Sequence, residues 1–175
     1  MAIGKTKFWQ ICSILKLIYQ QPGITRKELS TLLSVDKAMI THIINYLASD
    51  NWLIKKDPFA KRIPLYLNEN RLYVAGVEIQ PEYQRMAVCN IQGSVLFQKE
   101  WSIKSPEISD FLFKELAKTL DEIPYDIFAV GLAVPGVCDT ENKLIVASNP
   151  FKITIPRELP KTIGKKEIPL KDFLI

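Results

Sequence analysis

The sequence predicts an α+β protein of two units, a helical unit followed by one built mainly from strands. Three observations support this. Apolar residues recur at helical spacing through the first fifty residues, whereas from residue 72 onward they follow the pattern of β-strands. A short polar junction at 68–70 separates the two patterns, and the excess positive charge lies before it. We therefore expect a first domain over residues 1–70 and a second over residues 71–175.

The composition is that of an ordinary globular protein. Of the 175 residues 47% are hydrophobic and 24% are charged, which allows a buried core without disulfides or metals. No run of about 18 apolar residues and no signal peptide is present, so we expect a cytoplasmic protein with no membrane partner. Cys12, Cys89 and Cys138 each lie in an apolar run, which predicts buried, reduced thiols. We expect no metal site and no cofactor.

The net charge of +4 is divided unevenly along the chain. Residues 1–70 hold ten Lys and Arg against five Asp and Glu, a net charge of +5, and residues 71–175 hold 13 against 14, a net charge of −1. A basic first domain joined to a nearly neutral second one is typical of a phosphate-binding module on a separate sensing or assembly domain. A solvated, Lys-rich surface has the same charge, so the charge alone does not decide between the two.

Two helices open the first domain. Helical periodicity predicts the first from about Thr6 to Gln20, and Pro22-Gly23 ends it. In the following segment Thr25 and Glu28 have the spacing of a capping box, in which the hydroxyl and the carboxylate each accept a backbone N–H. This box predicts a short second helix over about Arg26 to Leu33.

A third helix follows after about three residues, which makes a helix-turn-helix. Asp36 is its predicted N-cap and Asp50-Asn51 its end, where Asn tolerates the left-handed conformation. At about 100° per residue, one side of this helix is apolar and the other is small and polar. The apolar stripe is Ile40, Ile43, Ile44 and Leu47, and the opposite face carries Ala38, Thr41, His42, Asn45 and Ser49.

The polar face predicts a recognition helix, because a surface helix more often carries Glu and Lys there. Small groups that can hydrogen-bond base edges suit a helix that enters a major groove about 12 Å wide. We expect the DNA-contacting residues of this helix to be Lys37, Ala38, Thr41, His42 and Asn45.

A basic hairpin follows the third helix. Short strands over 52–56 and 61–67 flank a turn at 57–60, the arrangement of a wing. Four cations around the turn are expected to contact phosphates or the minor groove, together with the start of the second helix. These phosphate-contacting residues are Thr25, Arg26, Lys27, Lys55, Lys56, Lys61 and Arg62. The pattern predicts a winged helix-turn-helix that binds DNA; the alternative is a winged helix used only for protein contacts.

The second domain has the predicted order βββαβ. Three strands over Leu72–Ile79, Gln84–Asn90 and Val95–Trp101 form an antiparallel meander. A helix from about Ser105 to Glu122 follows, and Ile127–Val134 is predicted to be a strand buried on both faces.

Both domains together resemble the ROK family of repressors, open reading frames and sugar kinases. The resemblance covers nearly the whole chain and is carried most specifically by the stretch Gly131-Leu-Ala-Val-Pro-Gly-Val137 with Asp139. Further matching segments are Thr25–Leu29, Val35–Thr41, Val74–Ile79 and Ala147–Asn149. In the repressors of this family a winged helix precedes an actin-like (ribonuclease-H-like) sugar-kinase fold, so the resemblance implies a partial actin-like α/β lobe here. It also implies that residues 168–174 start a helix.

The resemblance carries over to only part of the family's sites. The segment in the place of the phosphate loop, Glu78–Tyr83, has no glycine; Pro81 removes a donor and Glu82 would repel a phosphate. The chain stops before the family's Asn-Asp pair and zinc loop, so we expect no catalysis, and a shortened form or the product of a split reading frame. Pro135, Gly136 and Asn149 match a vestigial sugar site, although turn geometry explains them better.

The expected function is that of a sequence-specific transcriptional regulator, a repressor of sugar-related genes. Its expected partners are double-stranded DNA and a second copy of the chain, because an incomplete lobe leaves apolar surface exposed. A sugar effector is not favoured. Two alternatives remain: a sugar kinase or a kinase fragment, and a winged-helix adaptor that binds another protein.

Overall fold

A computed structural model describes residues 5–54, 56, 63–102 and 110–171. The chain divides into two compact units between residues 71 and 72, called unit 1 and unit 2 below. None of the helices within the described ranges is long and apolar enough to span a membrane.

The three predicted helices of unit 1 are confirmed. They are α1 (Lys5–Gln20), α2 (Arg26–Leu33) and α3 (Lys37–Ser49). The capping box at α2 is complete: the Glu28 N–H donates to the Thr25 hydroxyl over 3.4 Å, and the Thr25 N–H donates to the Glu28 carboxylate over 2.7 Å. The Asp36 carboxylate caps the N-terminus of α3. Beyond the C-terminus of the helix, Asn51 has the left-handed conformation with φ 58°.

The core of unit 1 lies between these helices. The predicted stripe of α3 is confirmed, with all four of its side chains at most 1% exposed. Other fully buried side chains in this core are Ile14, Ile18 and Leu29. Strands β1 (Leu53–Ile54) and β2 (Tyr66–Leu67) pair antiparallel, with Leu53 opposite Leu67, and form the base of the predicted hairpin. The turn of the hairpin lies outside the described residues.

Unit 2 is built on a six-stranded sheet. Its elements are β3 (Tyr73–Ile79), β4 (Tyr83–Asn90), β5 (Val95–Ser102), α4 (Asp110–Glu122), β6 (Ile127–Ala133), β10 (Thr162–Ile163) and β11 (Ile168–Lys171). The order of the strands in the sheet is β10-β11-β6-β3-β4-β5. The meander β3-β4-β5 is antiparallel, and β6 returns parallel to β3 after α4. The predicted order βββαβ is confirmed, whereas the predicted start of α4 lies outside the described residues.

One face of this sheet packs against α4. Alternate residues of β3, such as Ala75 and Val77, are buried in one cluster with Leu116 and Leu120 of α4. On the other face Gly76 is exposed. The expectation that Ile127–Val134 is buried on both faces is wrong at Phe128, whose side chain is 59% exposed, because α4 covers only one face.

A second sheet has the order β7-β8-β9, formed by β7 (Val137–Asp139), β8 (Leu144–Ala147) and β9 (Arg157–Glu158). The expectation that all three cysteines are buried is wrong: Cys138 is exposed because β7 is an edge strand of this sheet, and Cys12 and Cys89 are half-buried. All three thiols are free.

The expected helix start at residues 168–174 is also wrong within the described part of that segment. Residues 168–171 form strand β11, which pairs parallel to β6 with Leu170 opposite Val130. Pro169 disfavours helical backbone at Ile168, the residue before it, and pairing with β6 satisfies the backbone groups of an extended segment.

Candidate nucleic-acid interface

The outward face of α3 is the first part of the site. Its buried stripe turns the opposite side of the helix to solvent, and every residue predicted to contact DNA from this helix is exposed. These residues are Lys37, Ala38, Thr41, His42 and Asn45. The exposure of this face is confirmed, whereas the contacts of these residues with DNA stay a prediction.

The Thr41 and Ser49 hydroxyl groups bind to the backbone of this helix. The Thr41 hydroxyl donates to the Lys37 carbonyl over 2.8 Å, and the Ser49 hydroxyl donates to the Tyr46 carbonyl over 2.8 Å. Such bonds to an earlier turn are common for Ser and Thr in helices. The donors of both hydroxyls are therefore used within α3, and each oxygen keeps acceptor capacity.

Two large side chains on α3 escaped the sequence analysis. Met39 is 41% exposed and Tyr46 is 40% exposed, and two helical turns separate them on the same flank of the outward face. Neither residue belongs to the apolar stripe or to the small polar face. The angular positions of Met39 and Tyr46, about 90° or more from the centre of the stripe, carried the missed signal.

The start of α2 is the second part of the site. The Thr25 hydroxyl accepts from Glu28 N–H and donates to the Glu28 carboxylate over 2.7 Å, so it serves the capping box. Lys27 is exposed, and Arg26 is half-buried with its Nε atom buried and without a partner among the described residues. An open groove of about 640 Å³ runs along this helix start. Its lining is Thr25, Arg26, Lys27, Glu28, Thr31, Leu32 and Ile63.

The wing is described only in part. Lys56 is exposed, and its Nζ atom lies 4.8 Å from the centroid of the Tyr66 ring, within the range of a cation–π contact. Lys55, Lys61 and Arg62 lie outside the described residues. One cation of the predicted wing is therefore placed beside the base of the hairpin.

A polar cluster ties the end of α3 to the end of unit 1. The Arg71 guanidinium donates to the Asp50 carboxylate over 3.1 Å and to the Asp50 carbonyl over 2.9 Å, and the Trp52 indole N–H donates to the same carboxylate over 2.9 Å. The hydrogen bond from Arg71 lowers the pKa of Asp50, and that from Trp52 lowers it further. Because these partners are 21 residues apart, sequence reasoning missed the cluster.

The three residues of the possible sugar site lie around β7 and β8. The Ser148 hydroxyl donates to the Pro135 carbonyl, and Gly136 has φ 154° with its backbone against Ala147 and Ser148. A Cβ atom on Gly136 would collide with the Ala147 carbonyl oxygen. Asn149 is exposed, and its carbonyl accepts a hydrogen bond from the Lys152 N–H within a turn. Backbone packing alone therefore accounts for the glycine.

The segment in the place of a phosphate loop forms a tight turn between β3 and β4. The Gln80 N–H donates to the Tyr83 carbonyl over 2.8 Å, and the Glu78 carboxylate accepts from the Gln80 amide and the Tyr83 hydroxyl over 3.1 and 3.2 Å. Burial raises the pKa of Tyr83, and the bond to Glu78 raises it further. The Gln80 backbone N–H, which a phosphate would need as a donor, is already bonded to the Tyr83 carbonyl, and the Glu78 carboxylate lies beside it.

Known proteins resemble the chain in both units. The family model of the MarR family matches residues 10–58, from α1 to the start of the wing. A solved ROK family transcriptional regulator, described as a homolog of the E. coli MLC protein, superimposes with a TM-score of 0.67 at 20% identity, over 83% of this chain and 40% of that one. The chain therefore shares the fold of this ROK family regulator over the part that superimposes. The predicted architecture of a winged helix followed by part of an actin-like lobe is thus confirmed.

Curated relatives of this chain are named as xylose repressors. The xylose repressor of Caldicellulosiruptor bescii is 23% identical over 152 residues, which is 79% of this chain and 38% of the relative. The xylose repressor of Bacillus subtilis is 21% identical over 147 residues, which is 78% of this chain and 38% of the relative. The chain thus spans less than half the length of the relatives that it matches.

Proposed function

We propose that this chain is a sequence-specific DNA-binding regulator of the ROK family that represses sugar-related genes. The observation that carries the proposal is the outward face of α3, which is exposed, small and polar while the opposite side is completely buried. Such a helix offers a groove-sized surface without acidic side chains, so it fits the polyanionic duplex. The relatives that are named xylose repressors support the sugar-related genes as targets.

The proposed contacts divide into those that position the protein and those that select the sequence. Residues of α3 contact base edges, and the start of α2 and the wing contact phosphates. The base-contacting set is Lys37, Ala38, Thr41, His42 and Asn45, and the phosphate-contacting set is Thr25, Arg26, Lys27, Lys55, Lys56, Lys61 and Arg62. We further propose that two copies of the chain pair and present their α3 helices to half-sites about 34–36 Å apart. The proposed location of the protein is the cytoplasm, where its DNA lies.

The phosphate contacts are tested by the double substitution Arg26→Ala and Lys27→Ala. We expect lower affinity for every duplex alike and a salt dependence of log K that is shallower by about one per lost contact, because fewer counterions are released. Fluorescence anisotropy of labelled duplexes between 50 and 200 mM salt measures both quantities.

The matched control is the double substitution Lys165→Ala and Lys166→Ala. It removes the same charge from an exposed turn of unit 2 and leaves the backbone bond from Lys165 to Asp121 in place. This control is expected to keep the wild-type salt slope. If both double variants had the same salt slope, the affinity would depend on the net charge of the protein and not on contacts from the start of α2.

The chain is also proposed to lack kinase activity. The occupied turn between Glu78 and Tyr83 supports this, because it holds a carboxylate where a kinase of this fold needs free backbone N–H groups. We expect no ATP-dependent phosphorylation of sugars and no rise in melting temperature with ATP or with sugar. A ligand at 100 times its Kd would add about 2.7 kcal/mol to the free energy of unfolding. Scanning fluorimetry over a series of ligand concentrations would detect the resulting rise in melting temperature. A saturable shift with ATP would favour the kinase alternative.

A further inference from the structure

We propose that the first half of α3 recognises thymine through its C5-methyl groups, by apolar contacts from Ala38, Met39 and Thr41. This inference rests on the proposed function, because it describes what the exposed face of α3 would meet in a major groove. The three residues lie within the first five positions of the helix. Ala38 and Thr41 are exposed, and the Met39 side chain is 41% exposed.

Three hydrogen-bond donors of this region are used within the protein, whereas the Lys37 side chain is exposed. The Asp36 carboxylate accepts from the N–H of Ala38 over 2.6 Å and from the N–H of Met39 over 3.4 Å. The Thr41 hydroxyl donates to the Lys37 carbonyl over 2.8 Å. Apart from the Lys37 side chain, the first half of α3 therefore presents methyl groups and a thioether to a partner.

The Asp36 cap also decides which part of the DNA this turn can face. A helix N-terminus without an acidic cap is a favourable position for a phosphate, because free N–H groups and the helix dipole attract an anion. Here a carboxylate already holds that position. A phosphate at the same place would be repelled, so the first turn of α3 suits base edges better than the DNA backbone.

Thymine is the base that such a surface can distinguish. In the major groove it alone carries a methyl group, and Ala side chains and Thr methyl groups contact it in other recognition surfaces. Burial of one methyl-sized group contributes about 0.8 kcal/mol, which corresponds to about a fourfold change in Kd. The structure thus assigns thymine-containing half-sites to the first half of α3.

Replacement of thymine by deoxyuridine tests the inference, because it removes the methyl group and keeps base pairing. The full chain is first used to select its preferred duplex from random DNA. Each thymine of that duplex is then replaced in turn, and Kd is measured by fluorescence anisotropy. We expect at least one replacement to weaken wild-type binding about fourfold. The variant Met39→Ala or Thr41→Ser should bind the thymine and deoxyuridine duplexes equally at the position that the lost group contacts.

Thr41→Val is the matched partner of Thr41→Ser, since the first keeps the methyl group and the second keeps the hydroxyl. We expect Thr41→Val to retain the deoxyuridine response. Circular dichroism confirms that both variants keep their helix content. A selected duplex whose deoxyuridine forms all bind within twofold of the parent, or a response that follows the hydroxyl, would overturn the inference while leaving DNA binding intact. Absence of any preferred duplex would instead overturn the proposed function, and the inference with it.

Discussion

The substitution Gly136→Ala is expected to lower the free energy of unfolding of unit 2 by about 2–4 kcal/mol. Two effects add. The φ of 154° at this position is costly for any residue with a side chain, and the new Cβ atom would meet the Ala147 carbonyl oxygen and lie 3.0 Å from the Ser148 Cβ. Neither neighbour is the flexible end of a side chain. Urea denaturation followed by circular dichroism measures the loss.

Gly76→Ala is the matched control for this substitution. Gly76 lies in β3 of the same unit, and a Cβ atom there would have no neighbour within 4 Å. We expect the stability of Gly76→Ala to stay within about 0.5 kcal/mol of the wild type. If Gly136→Ala were as stable as Gly76→Ala, backbone packing would not require a glycine at position 136. That result would favour a role of Gly136 in binding a sugar.

Asn45→Ala is expected to change the DNA sequence that the protein prefers, with a loss of about 1–3 kcal/mol on the original sequence. The Asn45 side chain is exposed on the outward face of α3, and an amide can make two hydrogen bonds to adenine. His42→Ala, on the same face, is expected to shift the preference in the same way. Competition binding between the selected duplex and duplexes with single base changes measures this effect.

Gln92→Ala provides the control for Asn45→Ala. Gln92 lies exposed in a turn of unit 2, and its backbone N–H donates to the Asn90 side chain. The substitution removes an amide side chain of similar chemistry and keeps this bond. We expect unchanged affinity and unchanged preference for this variant. If Asn45→Ala behaved like the control on every duplex, another part of the protein would have to select the sequence.

The helices of unit 1 could be predicted because their ends are encoded locally. Thr25 and Glu28 are three residues apart, and Asp36 lies directly before α3, so each cap can be recognised in a short window. Periodicity then gave the buried stripe of α3. The meander β3-β4-β5 was predictable for the same reason, since its turns are short.

Elements that depend on distant partners could not be predicted in this way. Strand β11 exists because it pairs with β6, about 40 residues earlier in the chain, and local residue preferences left that segment open to a helical interpretation. The sheet β7-β8-β9 and the bond between Asp50 and Arg71 likewise depend on contacts across loops. Phe128 was expected to be buried because an apolar run does not tell how many faces of its strand are covered.

Part of the candidate interface followed from helical geometry alone. The angle of each residue around α3 predicted which side is exposed, and this was confirmed for Thr41 and Asn45. The angle did not show that the Thr41 hydroxyl donates to Lys37, nor how far the Met39 side chain on the flank of the helix is exposed. Hydrogen bonds within a helix and the depth of a flanking side chain depend on packing, so the apolar character of the first turn required the structure.

Selection of bound sequences from random duplex DNA with the full chain shows whether this protein prefers a particular DNA sequence. We expect a defined motif with two half-sites whose centres lie about 10–10.5 base pairs or a multiple apart. The preference should change in Asn45→Ala and be retained in Gln92→Ala. The affinity for this motif should fall steeply with salt. Recovery of unenriched DNA from the wild-type protein, with no sequence favoured after repeated rounds, would contradict the claim that this chain is a sequence-specific regulator.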